Sequence, residues 1–464
     1  VVINPGQSIQ NAIDSSSAGD ILYVNEGFYP ESLVVDNKEI EIRGQGTTKP
    51  RVFNLTLRNI PTTSRVSHLS VTETDSQTLS IENVGVAILD GITTRAGEVV
   101  VDQSNLRLSL SDLARSLDTN RSVVMLKDSN VTDSVHAHLS NLRMVGSNNF
   151  GDLVIVDKNL TILKHSTTPP IFENLEVNGS AVTLVGIEAT NLTARNTSNP
   201  TRLEIVQGYY SGLIDFNSTE GNFLYAGIRR LIFTGKGNVV GCDLNGNSEG
   251  GIGISVEGAD TFLSIRNSHI HDYKKGHSGN IDEQCIGIRV KSGSYAEIVN
   301  NIIENCSDLD ARGGEDNSAK AILVIDGGPN TRILGNLIRD CYISNSANHF
   351  LKAPLGTVLR NNLFKILAPP NANRGQAFTG GVVGVDNIAE AIDPKLNTDG
   401  TLKANSPCIN AGPPDPQYND RDGSRNDIGM FGGHNFIPDG RTTNKPIVLG
   451  LDIAPIAVPV GGSA

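Results

Sequence analysis

The chain has 464 residues, 38% of them hydrophobic, and a formal net charge of −12. Its 48 glycines and 20 prolines interrupt long helices, which excludes a helical bundle or coiled coil. The apolar share excludes a disordered chain, the surplus of acid argues against a nucleic-acid partner, and no apolar run reaches the length of a membrane span. Val1 already begins structured sequence, so any export signal is expected to lie outside it. Pro5, Gly6 and Gln7 form a turn signal, and Ser8 can cap a short helix whose apolar face is Ile9, Ala12 and Ile13. Brief β-rich pieces follow, from Ile21 to Val24, from Leu33 to Val35 and from Ile40 to Arg43. A short helix followed by strands at about ten-residue spacing predicts the capped start of a strand solenoid over residues 1–46.

Four segments carry a family resemblance: PGQSIQNAI from Pro5, AGDILYV from Ala18, GFYPE from Gly27 and IRGQG from Ile42. Together they resemble the opening of right-handed parallel β-helix proteins of the pectin-lyase-like superfamily, of the bacterial and archaeal surface type. The resemblance implies an all-β, single-stranded right-handed parallel β-helix whose N-terminal helix caps the cylinder. It says little about function, because enzymes, adhesins and structural proteins share this opening. Length alone would suggest about three domains. A solenoid needs only its neighbours, so one β-helix over residues 47–440 and an extension over 441–464 are expected instead.

Between Asn54 and Thr234, short apolar pieces such as Leu106 to Leu110 and Val182 to Val185 alternate with polar and glycine-rich stretches. They fit further coils of one cylinder or a second domain. Between Ile252 and Phe364 the repeat is clearer. The runs beginning at Gly253, Gly287, Ala321 and Phe350 overlay, which makes successive coils 34, 34 and 29 residues long. Asn301, Asn336 and Asn362 then share one position, with Ser268 a coil earlier, and an inward amide ladder is the expected way to satisfy a buried bend. Cys306 and Cys341 also share a position, flanked by Tyr273 and Leu367. This predicts a buried apolar stack with the cysteines either free or disulfide-bonded. None of the five cysteines has C-x-x-C spacing, which argues against a zinc site.

Strand alternation sends Ser255, Arg289, Leu323 and Lys352 outward in one column if Ile254, Ile288, Ile322 and Leu351 point inward. Insertions leave the same corner at residues 271–284, 307–320, 342–349 and 368–381 and carry most of the nearby charge. Stacked loops beside a flat wall predict a groove for an extended polymer. Its candidate contacts are Tyr273, Lys274, Arg289, Lys291, Arg312, Lys352 and Arg374. In the superfamily, lyases of acidic polysaccharides need a cation on the uronate carboxylate and a base for the C5 proton. Here Arg289 and Lys352 are candidates for the first role and Lys275 or His277 for the second, with Asp282 and Glu283 able to hold calcium. No lyase signature surrounds these positions, and Leu323 interrupts the column. The absence of tryptophan and the 22 other aromatics weaken a sugar-stacking platform.

Toward the C-terminus, SPCINAG from Ser406, NDRDG from Asn419 and DIG from Asp427 resemble the tail of many surface β-helix proteins. Asp420, Asp422 and Asp427 are either calcium ligands or the carboxylates of a backbone-bonded turn; the spacing excludes an EF-hand. The run from Ile447 to Ala454 is similar to the first strand of an immunoglobulin-like module. It is expected to pair with another copy or to lie on the cylinder wall. Several N-x-S/T triplets permit glycosylation without requiring it. The expected function is therefore that of an extracellular or cell-surface protein, adhesive or structural, engaging glycans or neighbouring subunits along its wall. The alternative is a calcium-assisted lyase of uronic-acid polymers.

Overall fold

The computed structural model describes residues 1–72, 77–145, 149–156, 160–163, 171–275, 285–308, 319–325, 330–341, 351–365, 378–379, 383–388, 392–437 and 440–441. Among them, short strands run from Val2–Ile3 to Val383–Val385, and every ladder between these strands is parallel. Parallel neighbours joined by short bends wind the chain into one right-handed β-helix. The alternation that looked irregular in sequence becomes regular once coils are stacked. Leu33, Leu55, Leu79, Val99, Leu117, Val135, Leu153 and Leu175 form one inward column. Leu192, Ile214, Leu231, Ile254, Ile288, Ile322 and Leu351 continue it without a break. The register left open between Asn54 and Thr234 is thus that of the same cylinder. Rungs lie about 4.8 Å apart, and burying each aliphatic side chain is worth about 1.5–3 kcal/mol. One coil alone buries too little to fold, so stability accumulates along the stack.

The open end is closed by the helix Ile9–Ser15, whose Ile9 and Ile13 are buried against the first coils. Ser8 caps it by accepting from the Asn11 amide, and the Glu31 carboxylate accepts from the Ile9 and Gln10 amides. Those amides are donors that a helix start leaves unpaired.

One corner of the cylinder positions everything that follows. Successive coils place Gln207, Tyr225, Gly241, Asn267, Asn300, Gly335 and Asn361 there, all with φ between 50° and 65°. This left-handed geometry favours Gly and Asn. Gly335 has a further reason: a Cβ would sit 3.0 Å from Pro413 and 3.3 Å from Asn426. The next residue in each coil turns inward. Asn336 Oδ1 accepts from both the backbone and side-chain amides of Asn301 at 3.0 Å, and Asn362 Oδ1 does the same for Asn336. Asn301 in turn serves the Ser268 amide, and Asn387, a rung the sequence repeat did not include, serves Asn362.

Residues 392–437 fold back as a turn-rich segment, and its last part, with 440–441, runs along this corner. Asn300 reaches Asn426 and the Asp427 carbonyl, Asn267 reaches the carbonyls of Met430 and Gly432, and the Tyr225 hydroxyl reaches the Asn435 carbonyl. Gln207 bonds the Gly440 carbonyl and Arg441 bonds those of Gly241 and Cys242. The five cysteines are free and buried. Cys306 and Cys341 stack without a disulfide, and burial, with Cys341 beside it, pushes the Cys306 thiol well up. Among the described residues, no helix is long and apolar enough to cross a membrane. The run from Ile447 to Ala454 lies outside the described residues.

Candidate functional site

The predicted column has the register Ser255, Arg289, Leu323, Lys352. It is not an open cationic strip, because Ser255 and Leu323 are both buried. Arg289 lines a pocket of about 380 Å³ with Arg230, Ile232, Ile252 and Ser255. Its guanidinium is engaged: Nε donates to Ser255 at 3.0 Å and Nη2 meets Glu257 at 3.1 Å. Lys291 holds the other Glu257 oxygen at 2.7 Å. Burial raises the Glu257 carboxyl, but Lys291, Ser255 and Arg289 outweigh it and keep the group below the usual glutamate range.

Tyr273, expected as a sugar contact, is a core residue instead. Its ring is buried, its hydroxyl donates to the Arg229 carbonyl at 2.6 Å, and desolvation pushes its pKa well up. The same stacking that aligns it with Cys306 takes it away from solvent. Lys274 is paired with Asp272 at 2.8 Å. Lys275 ends its strand, pairing through the backbone with Asp308. Lys352 lies two rungs from Arg289, about 10 Å along the wall. His277, Asp282, Glu283, Arg312, Arg374 and Leu367 lie outside the described residues.

The acidic turn uses its carboxylates on backbone donors. Asp420 accepts from the amides of Asp427 and Gly433, Asp427 from that of Asn410, and Asp422 from that of Ser424. Burial raises the carboxyls of Asp420 and Asp427 above the usual range. Among the described residues, the ligand-type side chains that converge are elsewhere: Asp243, His269 and His271.

A different face of the cylinder holds a groove of about 620 Å³. Its floor is a stacked column of outward side chains, Glu204, Asn222, Asn238, Ser264 and Glu297. Beside it runs a second column, Leu224, Val240 and Arg266. The Asn222 and Asn238 amides bond each other at 2.8 Å, and Arg266 links Ser264 to Glu297. Phe262, packed on Tyr295 with centroids 5.1 Å apart, supplies an apolar edge. His434 and Asn435 of the returning C-terminal segment form a lip, and the Tyr418 hydroxyl donates to Glu297 at 3.0 Å. Burial and the neighbouring Glu297 raise the Tyr418 pKa, so it remains a neutral donor.

Sequence reasoning missed this groove because its residues follow no fixed period. The steps along the floor are 18, 16, 26 and 33 residues (204 to 222, 238, 264 and 297). Chemically, the floor offers amides and carboxylates at even axial spacing, with the Ser264 hydroxyl buried and bonded to Arg266. Its two carboxylates are four rungs apart, roughly 19 Å. Glycoside hydrolysis needs its two acids within about 5–9.5 Å. The floor thus presents one polar side chain per rung along the cylinder axis.

No protein-family model matches the chain, and no curated protein matches it. Among solved structures it is similar to pectate lyase Pel9A, with 14% identity and a TM-score of 0.28 over 92% of this chain and 90% of that one. It is also similar to a PL6 family polysaccharide lyase from Pseudopedobacter saltans, with 11% identity and a TM-score of 0.14 over 85% and 94% of the two chains. At such scores the likeness carries no argument about the site, which rests on its own geometry.

Proposed function

We propose that this chain is an extracellular glycan-binding β-helix protein that holds a linear, largely neutral polysaccharide in the groove over Glu204, Asn222, Asn238, Ser264 and Glu297, without cleaving it. The observation that carries the reading is the in-register polar column with an aromatic edge. A polymer repeating its hydroxyls along its length meets a polar side chain on each successive rung. The groove offers a polyuronate no excess of positive charge, since Glu204 and Glu297 balance Arg266 and Arg332, the latter on the next rung and 3.6 Å from Glu297.

Affinity electrophoresis in gels containing neutral or acidic polysaccharides tests this directly. Retardation by at least one neutral polymer is expected, with Asn222→Ala/Asn238→Ala and Phe262→Ala each weakening it at least about tenfold, or about 1.4 kcal/mol. Polymer length should stay constant on size exclusion. Failure to bind any neutral glycan would sink the reading. A rise in ultraviolet absorbance on polygalacturonate or alginate, lost in Arg289→Ala, would install the lyase alternative.

A further inference from the structure

Asp243, His269 and His271 form a group whose chemistry the glycan groove does not use. His269 and His271 are two apart on the strand His269–Lys275, so both project from one face, and Asp243 lies opposite His269 on the neighbouring strand. The strand pair sits across the asparagine corner from the groove. Nδ1 of His269 and Nε2 of His271 approach the same oxygen of Asp243, at 3.5 and 3.4 Å. Those separations exceed a good hydrogen bond. They match the spacing of two ligands that each sit about 2.0–2.1 Å from one tetrahedral ion, roughly 3.3–3.4 Å.

The outer nitrogens supply an independent observation. His269 Nε2 lies 2.8 Å from Glu304, and His271 Nδ1 lies 2.7 Å from Asp272. Each carboxylate is itself held, Glu304 by Arg339 and Asp272 by Lys274 and Asn305. A carboxylate accepts, so each outer nitrogen carries the proton, and in the neutral rings the inner lone pairs face the Asp243 oxygen. Two lone pairs and a carboxylate oxygen converge in this way, with the Arg441 guanidinium 3.2 Å from that oxygen as their present cationic neighbour. The rings stack with centroids 4.0 Å apart, which disfavours protonating both. Backing of each imidazole by a fixed carboxylate is the arrangement that orients metal-ligating histidines.

We propose that Asp243, His269 and His271 bind a divalent first-row transition ion of the zinc, cobalt or iron type. Two imidazoles and one carboxylate suit such ions, whereas calcium takes six to eight oxygens. The site has three protein ligands and partial exposure, leaving a position for water or a ligand oxygen. Arg441, whose Nη1 lies 3.2 Å from the same Asp243 oxygen, also bonds the carbonyls of Gly241 and Cys242. The absence of paired cysteine motifs pointed away from zinc; the histidines reopen the question.

The test is a titration of tag-free, chelator-treated protein with Co²⁺ at neutral pH. One equivalent should bind with a visible ligand-field band, displaced by Zn²⁺ and not by Ca²⁺. His269→Ala and His271→Ala should abolish the band while retaining the far-ultraviolet β signal. Glu304→Gln should weaken Co²⁺ affinity about 10–100-fold, and Arg441→Ala should strengthen it at least about threefold by removing a neighbouring cation. No band with the wild-type protein, a band that survives both histidine variants, or equal displacement by Ca²⁺ would each overturn the site. The wild-type titration decides the matter even if a variant fails to fold.

Discussion

Glu257 controls how much positive charge the Arg289 side of the wall can offer. Its carboxylate is shared by Arg289 and Lys291, so two cations that sequence reasoning assigned to substrate are occupied inside the protein. Glu257→Gln is expected to unpair Lys291 and loosen Arg289, which keeps its bond to Ser255, and to create binding to polygalacturonate that weakens steeply with salt, as gel retardation at two ionic strengths will register. The same carboxyl contributes a pH signature. Its folded pKa is depressed below the ordinary 4.5, so its stabilisation is present above that value and is lost as pH falls through the lower folded pKa. Acid unfolding of Glu257→Gln should lack that component, whereas wild-type-like acid sensitivity would remove Glu257 from the account. The column of Ser255, Arg289, Leu323 and Lys352 was legible because a strand has period two. The partner that neutralises Arg289 was not, because Glu257 follows Val256 at the strand's end, where no pattern says which way a carboxylate turns. A His-x-His pair on a strand was a readable signal for the metal-type cluster. Asp243, 26 residues before His269, was not readable without the coil length.

The amide ladder makes the corner an element in its own right. Asn336 accepts two hydrogen bonds from Asn301 and donates to Asn362 and to the carbonyls of Ile298 and Leu334, all in a buried bend. Asn336→Leu fills similar space but leaves those donors and acceptors unpaired. A loss of about 3–4 kcal/mol is expected from the urea midpoint. Asn387→Ala, at the partly buried end of the ladder, should cost about 1–2 kcal/mol. Equal losses at both positions would argue against a graded, stacked ladder. The rungs at Asn301, Asn336 and Asn362 were visible in sequence because three coils of near-equal length repeat there. Upstream, serines do the same work, with the Ser111 hydroxyl serving the Ile92 amide and that of Ser129 serving the Ser111 amide. Serine is too common in this chain to stand out, so that part of the corner was invisible. Its outward left-handed asparagines were equally silent, since their purpose is set by a segment more than a hundred residues away.

At the scale of the molecule, that segment changes how the solenoid holds together. A stack of coils touching only their neighbours unfolds piecewise. Here residues 426–437 and 440–441 bond corner residues from Gln207 to Gly335, tying together coils far apart in sequence. Amides in the coils between Gln207 and Gly335 should therefore exchange with deuterium as one cooperative block, faster and coil by coil in Asn267→Ala/Asn300→Ala. Uniform exchange in both proteins would deny the segment this role. The one-cylinder architecture followed from the opening residues and the clear repeat. The return of the tail could not, because its partners are carbonyls and side-chain amides that leave no periodic trace. The arrangement also has a mechanical consequence. Tension applied at Arg441 meets the corner bonds one after another, from Gly241 toward Gly335, so the strap should peel off like a zipper at low force. The coils beneath, whose ladders would have to shear many bonds together, should stay wound after it has come away.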